Sequence, residues 1–106
     1  MYNIIELAKL MDQYGALLTE RQREIMSSYV YEDLSLYEIS EIKGISRQGV
    51  RDCIVHASLL LDNYEKLLHL VEKNAVIHQA AEKIGIICNN NQDIKEEVNK
   101  IIGALI

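Results

Sequence analysis

The chain contains no proline, no tryptophan and no phenylalanine, and only five of its 106 residues are glycine. Proline and glycine are the residues that most readily end a helix, so little here interrupts one. Aromatic packing falls to six tyrosines. The two cysteines, Cys53 and Cys88, are too far apart for a disulfide framework, and a reduced, cytoplasmic setting fits them. No stretch reaches the ~18 uncharged apolar residues of a membrane span. The first fifteen residues carry Glu6, Lys9 and Asp12 and lack a basic start, a continuous apolar run and a cleavage site, so they do not read as a signal peptide.

Positive charge is scarce as well. The net charge is -5, whereas nucleic-acid binders usually present a basic face. The deficit is uneven. Residues 1–42 carry three basic and eight acidic side chains, and residues 62–106 carry five and seven. Between them, residues 43–61 hold Lys43, Arg47 and Arg51 against Asp52 alone. That segment is the one positive stretch of the chain.

What is present is helical period. Ile4, Leu7, Ala8, Met11 and Tyr14 fall on one helical face, with Gly15 behind them as a left-handed C-cap. Thr19-Glu20-Arg21-Gln22 reads as a capping box opening a second helix, whose core face is Ile25, Met26, Tyr29 and Val30. Ser35-Leu36-Tyr37-Glu38 is another, with Ile39 and Ile42 behind it. After a short turn at Lys43-Gly44-Ile45, Ser46 caps a fourth helix. Its apolar residues, Val50, Ile54, Ala57, Leu61, Tyr64, Leu68 and Val71, alternate by four and three positions. A helix over 47–73 would run roughly 40 Å at the α-helical rise, more than a compact three-helix core can cover. Its outer half, Leu61, Tyr64, Leu68 and Val71, is therefore expected to pack on the extension or on a second copy. An apolar set follows at Ala75, Val76, Ala80, Ala81, Ile84 and Ile87, then an Asn89-Asn90-Asn91 loop. A last helix, capped from Asp93, carries Ile94, Val98, Ile101, Ile102 and Leu105 on one face, too apolar to stay in solvent. The expected fold is all-α: a three- or four-helix helix-turn-helix domain over 1–73, and a helical extension over 74–106 packed on the body or on a second subunit.

The function-bearing stretch is Leu36 to Ser58. A small residue, Ser40, sits where two helices must cross closely. Gly44 suits the tight turn, and Ile39, Ile45, Val50 and Ile54 pin the pair to a core. A second helix built this way presents its N-terminal outer face to the major groove. Arg47, Gln48, Arg51 and Val55 occupy that face. Arg pairs with guanine, Gln with adenine, and Val touches a thymine methyl, each good bidentate pair giving ~1–3 kcal/mol of discrimination. Ser46 and Lys43 suit phosphate contacts. The partner this implies is duplex DNA, taken by a homodimer with one half-site per copy.

No other chemistry competes. His56, His69 and His78 lack metal-ligand spacing with either cysteine, and the acidic pairs Glu32/Asp33 and Glu96/Glu97 diverge on a helix. There is no phosphate loop, nucleophile elbow or dinucleotide fingerprint. The expectation is a protein without catalytic residues, metal or cofactor. Of Tyr29, Tyr31 and Tyr37, only Tyr37 is expected to be exposed, with Tyr29 on the core face, so an RNA-stacking platform is not expected.

Leu17-Leu18-Thr19-Glu20-Arg21-Gln22-Arg23-Glu24, then Tyr31-Glu32-Asp33-Leu34-Ser35-Leu36, Glu38-Ile39 and Gly44-Ile45-Ser46-Arg47-Gln48, resemble the YlxM family. The likeness runs from about Leu7 to Val71. It implies a helix-turn-helix like that of region four of bacterial sigma factors, in a small cytoplasmic regulator. It also implies a connection to the signal recognition particle pathway, which rests on gene neighbourhood. An adaptor for that secretion-targeting machinery, or an RNA-binding accessory factor to it, is the alternative.

Overall fold

The computed structural model describes residues 3–105. Among them there are six α-helices and no strand: α1 (Ile4–Tyr14), α2 (Glu20–Val30), α3 (Leu36–Lys43), α4 (Arg47–Leu68), α5 (Leu70–Ile87) and α6 (Gln92–Ala104). The chain forms two compact units, Met1–Leu68 and His69–Ile106.

In the first unit α4 is the central element and packs against α1, α2 and α3. The local chemistry explains where its shorter helices begin. Asn3 caps α1 by accepting from the Ile5 amide at 2.8 Å. Thr19 and Gln22 close a reciprocal capping box at α2, and Ser35 and Glu38 do so at α3. Such caps contribute ~1 kcal/mol each and fix the start of a helix too short to hold itself. Leu7, Leu10, Met11 and Tyr14 of α1 are buried with Leu18, with Ile25, Met26 and Val30 of α2, and with Ile39. Val50, Ile54, Ala57 and Leu61 of α4 complete this core. The Tyr14 hydroxyl donates to Glu65 Oε1 at 2.6 Å, and its ring lies 6.0 Å from that of Tyr64, tying α1 to the last turns of α4.

Four expectations need correction here. Gly15 is not left-handed: its φ is -56°, and it opens a single 3-10 turn, Gly15–Leu17. Glycine serves a close approach instead, because a Cβ there would stand 3.3 Å from Met11 Cε. Ile42 is not core but 66% exposed, since Ile39 and Ser40 fill the buried face of a two-turn helix. Tyr31 is exposed as well as Tyr37, and its hydroxyl donates to Asp12 across α1 and α2. The fourth helix stops at Leu68 rather than 73, because His69 adopts a left-handed conformation with φ 56°.

The second unit is a helical pair. α5 and α6 pack on each other around Ala81 and Val98, which are buried. Gly85 passes close to α6, where a Cβ would meet Val98 Cγ1 at 3.5 Å. Asn91, not Asp93, caps α6, accepting from the Ile94 amide at 3.2 Å. The expected interior face of α6 is partly realised: Val98 is buried and Ile94, Ile102 and Leu105 are half-buried, but Ile101 is exposed.

Candidate nucleic-acid interface

The turn between α3 and α4 is built from backbone chemistry. Gly44 is left-handed at φ 66° and ψ 32°, and its amide donates to the Ser40 carbonyl. The Ile45 amide donates to the same oxygen at 3.2 Å, which closes the end of α3. Ser40 is buried and turns its hydroxyl back onto the Tyr37 carbonyl at 2.7 Å, so a polar side chain is satisfied where α3 crosses α4.

Ser46 caps α4. Its Oγ accepts from the Gly49 amide at 3.0 Å, and its carbonyl accepts from the Val50 amide at 3.0 Å. A Cβ on Gly49 would stand 3.2 Å from Ser46 Oγ, so glycine at this position leaves room for the capping hydroxyl. Val50, Ile54, Ala57, Ser58 and Leu61 turn inward. Arg47, Gln48, Arg51, Asp52, Val55, His56 and Leu59 remain exposed.

The structure puts Arg47, Gln48, Arg51 and Val55 on one exposed surface, but most of the polar groups are already engaged. Lys43 Nζ pairs with Glu24 Oε2 at 2.7 Å, joining the end of α3 to α2. The hydrogen bond and charge of Lys43 hold the Glu24 carboxyl below its ordinary range. The Arg47 guanidinium lies over the Tyr37 ring, 4.5 Å from its centroid. Gln48 Nε2 donates to Asp52 Oδ1 at 2.8 Å. Ser46 Oγ is committed to its cap. Arg51 is exposed and forms no ion pair among the described residues.

Sequence reasoning did not foresee these pairings. Tyr37 and Glu24 come from other helices, and nothing in local spacing announces them. Asp52 was legible, because positions 48 and 52 are i and i+4 on one helix face. Cys53 is half-buried, and burial pushes its thiol up, which argues against a reactive group. Among the described residues no group of three His, Cys, Asp or Glu side chains could hold a metal ion, and no helix is long and apolar enough to cross a membrane.

A family model described as "Putative helix-turn-helix protein, YlxM / p13 like" matches residues 1–101. The chain belongs to the YlxM family. A UPF0122 protein of Clostridium perfringens strain SM101 is 39% identical over 102 residues, covering 96% of this chain and 91% of the relative. One from Clostridium novyi is 39% identical over 112 aligned positions, covering 100% and 97%. One from Caldanaerobacter subterraneus is 52% identical over 75 residues, covering 71% and 64%. The YlxM description is that of a helix-turn-helix family rather than an enzyme family, and the all-α fold with its α3–α4 motif agrees with it.

Proposed function

We propose that this YlxM protein is a DNA-binding regulatory protein that acts in the cytoplasm as a homodimer and lays the start of α4 in the major groove of duplex DNA. The observation that carries this reading is the pair of helices itself. α3 is closed at Gly44, α4 is capped at Ser46, and Arg47, Gln48 and Arg51 emerge from the first two turns of the second helix. Arg51 and Arg47 supply guanine contacts, Val55 a methyl contact, and Lys43 and Ser46 steady the backbone. Binding should weaken steeply with salt, because phosphate contacts release counterions. Fluorescence anisotropy on duplex DNA across a salt series tests it. Binding that ignores salt, or that survives Arg47→Ala with Arg51→Ala, would sink the idea.

A second reading has its own support. The outward face of α4 joins the Gln48–Asp52 pair to the exposed apolar residues Val55 and Leu59. A helix face that joins a carboxylate to exposed apolar side chains suits a protein surface better than a phosphate backbone. On this reading the protein is an adaptor, and a component of the signal recognition particle pathway is its partner. A pull-down after nuclease treatment separates the two. Direct protein capture that survives the treatment and the double Arg substitution favours the adaptor. Capture lost on ribonuclease treatment assigns the basic helix to structured RNA.

A further inference from the structure

Of the polar side chains around the start of α4, Arg47 alone is held in place with its donors unspent. Lys43 is bound to a carboxylate, Gln48 donates to another, and Ser46 is taken up by its cap. Arg51 has nothing to hold it among the described residues. The Arg47 guanidinium forms no ion pair or hydrogen bond among those residues. Its contact is the face of Tyr37, with 4.5 Å between the guanidinium carbon and the ring centroid. A ring face attracts a cation through its quadrupole and offers no lone pair in return. The side chain is therefore fixed while its N–H donors remain without acceptors.

The fold gains little from this contact. Tyr37 is 50% exposed and Arg47 is exposed, so the pair stands outside the core. Arg47 opens α4, where the positive end of the helix dipole disfavours a cation. The other five α-helices each carry an acidic residue in the first turn, and α4 carries none. Tyr37, by contrast, is firmly seated. It lies within the first turn of α3, spanned by the reciprocal Ser35–Glu38 box at 3.1 Å in both directions. Its carbonyl accepts from the hydroxyl of Ser40, which is buried where α3 crosses α4. The backbone under the ring is thus tied to the helix crossing itself.

We infer that Tyr37 is a positioning residue of the proposed interface, a rest that fixes the Arg47 guanidinium for the two-bond contact to guanine. The inference rests on the DNA-binding reading. A bidentate base contact needs a donor fork fixed in direction, whereas a phosphate can be met from many directions by a mobile cation. A long side chain loses rotamer freedom when it docks, and one already laid on a ring has lost part of it before the DNA arrives. Tyr37 therefore acts on base discrimination and not on charge, because removing the ring changes no charged group. The stack needs nothing outside the first unit. The outer half of α4, expected to meet the extension or a second copy, is also largely spent there. Leu61 is fully buried and Tyr64 is half-buried beside Tyr14, while Leu68 is exposed and Val71, half-buried, belongs to α5.

Selection by the full wild-type chain from a duplex pool randomised at its centre supplies the probe, the most enriched duplex. Tyr37→Leu should weaken binding to it by roughly 3- to 10-fold. Repeated selection with that variant should flatten a guanine preference at one position, and the salt dependence of its affinity should be unchanged. Tyr37→Phe, which keeps the ring, should bind as the wild type does. In an Arg47→Ala background Tyr37→Leu should cost nothing further, whereas in an Arg51→Ala background its full loss should remain. A merely structural loss would persist in both backgrounds. The inference is overturned if the Tyr37 and Arg47 losses simply add, if Tyr37→Leu binds like the wild type, or if Tyr37→Phe loses as much as Tyr37→Leu. Arg47→Ala that weakens binding while Tyr37→Leu does not would leave the DNA reading standing and remove this one. A wild-type chain that enriches no duplex, or binds regardless of salt, would refute the DNA reading and the inference with it.

Discussion

Gln48 and Asp52 hold each other, amide to carboxylate, at 2.8 Å across one turn of α4. The consequence for base reading is specific. One of the two Nε2 hydrogens of Gln48 is committed to Asp52, so the amide is held in one orientation and must use its other N–H, or give up this bond, to make the two-bond contact to adenine. Asp52 also sets a negative charge on the surface that would approach phosphates on the DNA-binding reading.

Asp52→Ala should therefore raise affinity for duplex DNA, by roughly 3- to 10-fold at moderate salt, through release of Gln48 and removal of a like charge. Anisotropy titration of wild type and variant on one duplex measures it. Unchanged affinity would mean that this face of α4 does not meet the nucleic acid. The adaptor reading makes the opposite prediction, a partner capture weakened by the substitution.

The cap at Ser46 makes a cleaner thermodynamic case. Ser46→Ala should cost about 1 kcal/mol, the usual worth of an N-cap hydroxyl. Gly49→Ala alone should return less than the ~1 kcal/mol expected for glycine to alanine in a helix, because the new Cβ crowds Ser46 Oγ. In the Ser46→Ala background that crowding is gone and the gain should be larger. Urea unfolding of the two single variants and the double variant reads the coupling, and strict additivity would refute it.

Asp33 joins α2 to α3 with φ 54°, a conformation that side chains with a Cβ adopt at a cost of about 1 kcal/mol. Asp33→Gly should stabilise the first unit by about 0.5 kcal/mol after glycine's greater unfolded entropy is counted. Asp33→Val should destabilise it by more than that. Denaturation midpoints give both signs.

Although Tyr31 is exposed overall, partial desolvation of its hydroxyl and the hydrogen bond to Asp12 push the phenol well above its ordinary value of 10.0. The folded state thus keeps a proton that the unfolded chain gives up. The contribution is fully present below pH 10, and it is lost as pH rises from there toward the folded value. The stability difference between wild type and Tyr31→Phe should be constant at neutral pH and should shrink above about pH 10. A difference that grows with pH would mean the shift has the other sign.

What the sequence disclosed follows a physical line. Thr19, Ser35 and Ser46 were readable as caps because a cap is satisfied within three residues of itself. Gly44 was readable because a left-handed turn has few alternatives. His69 was not, since the apolar spacing runs through it from Leu68 to Val71 and its own side chain favours no break. The candidate surface divides the same way. The positions of Arg47, Gln48 and Arg51 come from helical period, whereas Tyr37 under Arg47 and Glu24 beside Lys43 come from packing between helices. A list of cations read from the chain therefore overstated how much charge is free.

Glu24 already holds the Lys43 ammonium. On the DNA-binding reading that carboxylate is a decoy ligand, standing in for the anion the lysine would meet on nucleic acid. A phosphate would have to displace it, at the small cost of breaking an ion pair this open to water. Lys43 would then add least to weak, indiscriminate attachment and most to a complex already held by other contacts.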